Sequence, residues 1–442
     1  MRTMHRREFV QSAALGALAV TPLGTLHGHR RQGDWKSLRV NGARVNRHLA
    51  DLSRYGRNPD GGVSRVAYSD ADIAGREFAV RLMREAELEV RIDPVGNIIG
   101  TRGGALPAAK PILFGSHIDS VPHGGNYDGD LGSLSAIEAA HTLAEAGYRN
   151  RHPLEVVIWC DEESGLTGSR GYVGDISTEE LHEPGRDGVP LAEKIARIGG
   201  DPGRLAAARH EPGSVAAYLE LHVEQGNILH EQGVQIGVVE GIVGIHHYDV
   251  TIEGFANHAG TTPMNRRRNA MLTAAELVLA VDRIVKAMPG RHVGTVGRLL
   301  VEPGAPNVVP GRVRLTVELR DLRTATIEAL WEQISAELGE LAREHDTPAT
   351  WERQHTNDPA LSDPGIRALI AQAAEALDLS FTHMPSGAGH DAQMLAAICP
   401  IGMIFVPSVD GISHSPQEFT SAEDVEHGAN VLLQSVLRLD QA

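Results

Sequence analysis

The sequence predicts an α/β protein: a layered domain with a mostly parallel central sheet and helices on both faces, carrying an inserted α+β unit of ferredoxin-like plan. Three observations lead there. Apolar strand-like runs alternate with helical runs in "AKPILFGSHIDS", "GSLSAIEAAHTLAEAGY" and "LEVVIWCDEESG", the rhythm of a parallel sheet. From about Val243 the texture becomes strand–helix–strand–strand–helix–strand, a compact α+β unit. From about residue 357 the first texture returns. A chain of 442 residues has room for two or three such units. The expected division is 1–35, a signal-like segment and linker; 36–242, the first part of the layered domain; 243–356, the insertion; and 357–442, the second part.

Taken in order, "HRREFVQSAALGALAVTPLG" resembles a twin-arginine export signal, with Arg6-Arg7, Phe9 and a mildly apolar stretch from Ala13 to Val20. That stretch is too short to span a bilayer, and export to the periplasm or beyond is the expectation; a cytoplasmic location follows if the signal does not operate. "REFAVRLMREAELEVRIDPVGNIIGTRGG" reads as a helix, then strands joined by a turn at Pro94-Val95-Gly96. The helix in "GSLSAIEAAHTLAEAGY" ends at Gly147, a glycine cap. In the insertion, "GIHHYDVTIEGFANHAG" alternates as a strand with one exposed face. "TPMNRRRNAMLTAAELVLAVDRIVKAM" and "TATIEALWEQISAELGELAREH" read as its helices, and "HVGTVGRLLVEPG" and "VPGRVRLTVELRD" as further strands.

Composition narrows the function. With 41 basic and 57 acidic residues the net charge is −16, which argues against nucleic acid and anionic membrane as partners. Two cysteines, Cys160 and Cys399, flank apolar runs and read as buried thiols, too few for a disulfide framework or a thiolate zinc site. Neither a G-x-S-x-G elbow nor a G-x-x-x-x-G-K-[ST] loop is present.

The chemistry-bearing residues gather at predicted strand ends. His117 and Asp119 stand at i and i+2, so in extended backbone both point to one side, and the Asp119 carboxylate can hydrogen-bond the outer nitrogen of a metal-bound His117. Asp128 follows in the glycine-rich "NYDGD", where its two oxygens can bridge two cations. "DEESG" adds Glu162 and Glu163; neighbours in a strand diverge, but a turn can deliver both to one cleft. "YLELHVEQG" supplies His222 and Gln225, and "DGISHSPQEFT" supplies His414. Singly, each has a plainer reading: a solvated turn, a surface acid pair, a satisfied core histidine. Together they make an imidazole and carboxylate set without thiolate. That set suits zinc, with manganese or cobalt as substitutes, and two cations about 3.5–4 Å apart would share a carboxylate and a water.

From about residue 38 to 440 the chain resembles the hydantoinase/carbamoylase branch of the dinuclear-zinc aminoacylase and carboxypeptidase-like hydrolases. The motifs recur in order: "GSHIDSVPHGGNYDGDLG", "DEES", "LELHVEQG", "ANHAGTTPMNRRRNA", "EPGAPNVVPG", "ELRD", "SGAGHDAQ" and "FVPSVDGISHSPQEF". The resemblance implies hydrolysis of linear C–N amide bonds in N-carbamoyl-L-amino acids. Allantoate amidohydrolase, beta-ureidopropionase, and an exported aminoacylase or dipeptidase are the alternatives; a non-catalytic binding protein would have no use for Glu162. It implies two divalent cations, one held by His117, Asp128 and His222 and the other by Asp128, Glu163 and His414. Glu162 would be the general base and Asp119 the group that orients His117. From the insertion, which would act as a lid and as the contact of a homodimer, His258 would polarise the scissile carbonyl or stabilise its tetrahedral oxyanion. Asn307 and Arg320 would grip the substrate carboxylate, and Gln225 would bind the ureido group, with His390 in the pocket wall. The chain departs from many relatives after Glu163, where "SGLTGSRG" replaces a longer loop.

Overall fold

A computed structural model describes residues 35–442, apart from 107 and 186. The signal-like segment therefore lies outside the described residues. The strands are β1 (Glu89–Ile92), β2 (Ile98–Arg102), β3 (Ile112–His117), β4 (Leu154–Trp159), β5 (Ala217–Val223), β6 (Ile236–Ile242), β7 (Gly244–Glu253), β8 (Asn257–His258), β9 (Val293–Glu302), β10 (Val308–Val309), β11 (Arg312–Asp321), β12 (Ala349–Asn357), β13 (Ala360–Leu361), β14 (Phe381–Ser386) and β15 (Ile401–Val406).

The central sheet has nine strands in the order β1-β2-β4-β3-β5-β15-β6-β13, with β14 also pairing β6. Its middle, β4-β3-β5-β15, is parallel. Its flanks add antiparallel pairings, β1 with β2, β2 with β4, and β6 with β15 and β13. Strand direction is invisible in an apolar run, but connection length decides it at one end. The Asp93 carboxylate accepts from the amides of Val95, Gly96 and Asn97, closing a turn too tight for anything but a hairpin.

Alternation along each strand feeds two cores. Phe114, Val156, Leu219 and Ile404 face a layer built from helices Gly42–Leu52, Asp70–Glu85, Asp130–Glu145, Pro364–Glu375 and Ala422–Gln441. Leu113, Val157, Tyr218 and Phe405 face the opposite layer, with helices Thr167–Val173 and Asp391–Leu395. Successive side chains point to opposite faces, so a strand covered on both sides has both sets of side chains removed from water. That is why β3 and β5 are buried at every position. Each such side chain removed from water contributes about 1.5–3 kcal/mol.

Strands β12-β7-β11-β9 form a second, antiparallel sheet. Helices Ala270–Ala287 and Thr324–Glu344 cover one of its faces, burying Tyr248, Leu277, Val317 and Ile334. The chain order strand–helix–strand–strand–helix–strand makes this the ferredoxin-like plan. Strands β8 and β10 form a separate two-stranded ribbon beside it. Among the described residues, no helix is long and apolar enough to cross a membrane.

Candidate metal centre

Because β3, β4, β5 and β15 run parallel, their carboxyl ends open on one edge of the sheet, where α/β folds place ligands. His117 is the last residue of β3, His222 lies near the end of β5, and His414 follows β15. Glu162 and Glu163 follow β4, and Asp128 precedes the helix Asp130–Glu145.

Asp128 is the hub. Its Oδ1 lies 3.2 Å from His222 Nε2 and 3.7 Å from His117 Nε2, and its Oδ2 lies 3.2 Å from His414 Nε2. His414 Nε2 is 3.4 Å from Glu163 Oε2. Two groups result, His117–Asp128–His222 and Asp128–Glu163–His414, and within each the donor atoms lie within 4.8 Å of one another. His117 Nδ1 is 3.0 Å from the Asp119 carbonyl, and His222 Nδ1 is 3.0 Å from the Val223 carbonyl. A carbonyl only accepts, so each Nδ1 carries a proton and each Nε2 is left facing the cluster. His222 Nε2 is buried and makes no well-aligned hydrogen bond. A buried nitrogen that makes no well-aligned hydrogen bond, facing a carboxylate shared by both groups, is what a cation-binding set looks like; the residues present fit a divalent metal.

The electrostatics agree. Burial pushes Glu163 up to about 7, helped by the Asp128 charge. Burial, with Asp391 and Glu163 nearby, raises Glu162 well above the usual carboxylate range. Burial lowers His117 to about 4. Burial opposes protonation of His222, but Asp128 outweighs it and raises that ring to about 9; the Asp128 hydrogen bond likewise lifts His414 to about 9. Too many acids for the local positive charge are packed here, and a bound cation would relieve that.

The backbone is shaped for the site. Asp161, Gln225 and His414 adopt left-handed conformations, with φ of 55°, 58° and 52°. Such non-glycine residues cost of order 1–3 kcal/mol each and persist where the surroundings hold them. Gly129, at φ 67°, lies so close to His117 that a Cβ would come within 2.3 Å of its ring.

Other expected site residues fall in three places. Gln225 is at the hub: its Nε2 donates to Asp128 Oδ2 at 2.8 Å, and its Oε1 is buried without a partner. His390 is buried, its ring 4.5 Å from that of His222 and its Nε2 2.8 Å from Ser386 Oγ. Both line a cavity of about 1060 Å³ that also reaches Glu162, Leu166 and Met394. Arg320 is not in that lining: its Nε donates to Glu318 at 2.8 Å and its Nη1 to the Gly387 carbonyl at 2.7 Å. His258 and Asn307 are exposed on or beside the β8–β10 ribbon, also outside the lining. Sequence motifs identify such residues but do not say how far the insertion reaches over the cavity. The role expected of the Asp119 carboxylate is corrected. Its Oδ1 is 3.8 Å from His117 Nδ1, too long for a hydrogen bond, and the Asp119 carbonyl takes that place.

Sequence reasoning missed Glu418. This buried side chain accepts from the amides of Tyr127 (2.8 Å) and Asp128 (3.0 Å) and from Ser413 Oγ (2.7 Å), tying the Asp128 loop to the His414 loop. Its place four residues after His414 was the available signal.

Fold and site together define the class, a two-sheet α/β hydrolase with a histidine–carboxylate centre at the carboxyl edge of its larger sheet. The chain belongs to Peptidase family M20/M25/M40, whose sequence profile matches residues 113–438. It is 40% identical over 407 residues to an N-carbamoyl-L-amino acid amidohydrolase of Geobacillus stearothermophilus, covering 91% of this chain and 99% of that one. It is 33% identical over 395 residues to an allantoate amidohydrolase of Bacillus subtilis, covering 88% and 95%. A crystal structure of a hydantoinase/carbamoylase family amidase from Burkholderia multivorans superposes with a TM-score of 0.86 at 36% identity, over 92% of this chain and 99% of that one.

Proposed function

We propose that the protein is a hydrolase of linear C–N bonds in N-carbamoyl-L-amino acids, using two divalent cations, Zn2+ with Mn2+ or Co2+ as substitutes. The observation that carries this is the convergence of the two donor groups on Asp128. The relatives named above support the substrate class. Bound there, such cations would polarise a carbonyl and lower the pKa of a water. Glu162 lines the cavity with its Oε2 3.8 Å from His117 Nε2, where a carboxylate can take a proton from an attacking water and return it to a leaving nitrogen. Gln225 and His390 would orient the ureido group. Contacts from His258, Asn307 and Arg320 require their strands to come over the cavity, by closure of the insertion or from a second copy.

An ammonia-release screen on metal-loaded protein tests the reading, with N-carbamoyl amino acids, allantoate, ureidopropionate and dipeptides as substrates. Release from N-carbamoyl amino acids above the rest is expected; a preference for allantoate would move the assignment to the second relative's activity. A homodimer through the inserted sheet is part of the same proposal. Edge strand β9 exposes Val293 and Leu300, and the adjacent helix Ala270–Ala287 exposes Leu272 and Leu279. Export directed by Arg6-Arg7 completes it, and fractionation of cells expressing the full chain tests that.

A further inference from the structure

The loops after β3 and β4 leave adjacent parallel strands, with His117 paired to Trp159 in the ladder. Beyond the ladder they are joined by side chain to main chain. The amides of Glu162 and Glu163 both donate to the Asp119 carboxylate, at 3.2 Å each. In return the Val121 amide donates to Glu163 Oε1 at 3.3 Å. The turn Glu162–Gly165 is bracketed by two left-handed residues, Asp161 and Leu166. Its entry is pinned by Asp161, whose carboxylate meets Thr167 Oγ1 at 2.5 Å and Tyr68 Oη at 3.3 Å. This answers how neighbouring glutamates reach one cleft. The left-handed step at Asp161 ends the strand, and the turn that follows needs its first amides capped.

We propose that Asp119 is a positioning residue for both halves of the centre: its main-chain carbonyl sets the His117 ring, and its carboxylate sets the turn that carries Glu162 and Glu163. The inference rests on the reading of this cluster as a two-cation site. It assigns the side chain of Asp119 to the Asp128–Glu163–His414 half, although Asp119 stands beside His117 in sequence. The carbonyl that orients His117 survives any substitution at position 119; the cap does not.

Co2+ binding, followed by calorimetry and visible absorption, separates the halves. Asp119→Ala should keep one cation with near wild-type affinity and weaken the second by roughly 10–100-fold, the usual cost of losing an outer partner of a ligand. Asp119→Asn and Asp119→Ser, which still accept from amides, should recover part of that loss. In double-mutant cycles on Co2+ affinity, Asp119→Ala should couple strongly to His414→Ala and weakly to His117→Ala. At saturating Co2+, kcat should fall more than KM rises, because Glu162 rides on the same turn. Coupling to His117→Ala instead, or no rescue by Asn and Ser, would overturn the inference. Should Asp119→Ala not fold, the Asn and Ser variants carry the same cycles. Wild-type protein that binds no divalent cation would sink the two-cation reading itself, a distinct outcome.

Discussion

At the scale of the residue, the proposed chemistry depends on which groups hold protons and which would hold cations. Glu162 lies in the cavity, is raised well above the usual carboxylate range by burial, and belongs to neither donor group. Glu162→Gln should therefore lower kcat by about 10²–10⁴-fold, the usual contribution of a positioned acid–base group, with metal content kept. Kinetics beside elemental analysis check this, and equal loss of metal would make Glu162 a ligand. Gly129→Ala should do the reverse, displacing the His117 ring and cutting metal content. The residues that converge on Asp128 were legible because imidazoles and carboxylates at the ends of apolar strands stand out from their surroundings. The sequence hid the job of the Asp119 carboxylate, since spacing of i and i+2 predicts direction but not which of two acceptors, carbonyl or carboxylate, comes nearer. For Glu418 it offered only the place four residues after His414, because a carboxylate that caps amides has no residue pattern of its own.

At the scale of the element, alternation and helical period were readable because burial on one or both faces writes them into the chain. Pairing direction was readable at one flank, where the turn at Pro94-Val95-Gly96 forces a hairpin, and not at the other, where it depends on longer connections. The link between helix Asp130–Glu145 and the loop before it shows how elements are fixed to the centre. Arg65 donates to Asp130 at 2.5 Å and to the Ile118 carbonyl at 2.5 Å, with both side chains buried. Asp130→Ala would strand a buried guanidinium and should destabilise the fold by about 3–5 kcal/mol, measured as a shift in the denaturant midpoint with an unchanged slope. Loss of less than about 1 kcal/mol, the worth of an exposed pair, would show that Arg65 finds water or another partner. On the second sheet, Leu279→Arg places a charge on an exposed apolar helix face, and light scattering should report monomers if that face joins two copies.

At the scale of the whole molecule, stability, charge and cation occupancy are one linked quantity. The protein carries a net charge of −16, and its centre gathers buried acids that, without a cation, hold protons. Each shift has a sign. Glu163, raised from 4.5 to about 7, contributes stability that is full below 4.5 and is lost as pH rises through 7. His222 and His414, raised from 6.5 to about 9, contribute stability that is full below 6.5 and is lost as pH rises through 9. His117, lowered from 6.5 to about 4, has the opposite sign, but its change is complete by pH 6.5. Asp128, held well below 3.8 by its histidine partners against the effect of burial, loses its contribution only on acidification. Between pH 6.5 and 9 these groups act in one direction, and the cation-free protein should lose stability as pH rises. Cation binding replaces those protons with fixed charge and tightens as they leave. The difference in Tm between Zn2+-loaded and chelator-treated protein should therefore widen steadily from pH 6.5 to 9. Calorimetry at matched ionic strength measures it. A difference that stays flat or narrows would mean that the raised histidines and Glu163 are not where the cations bind.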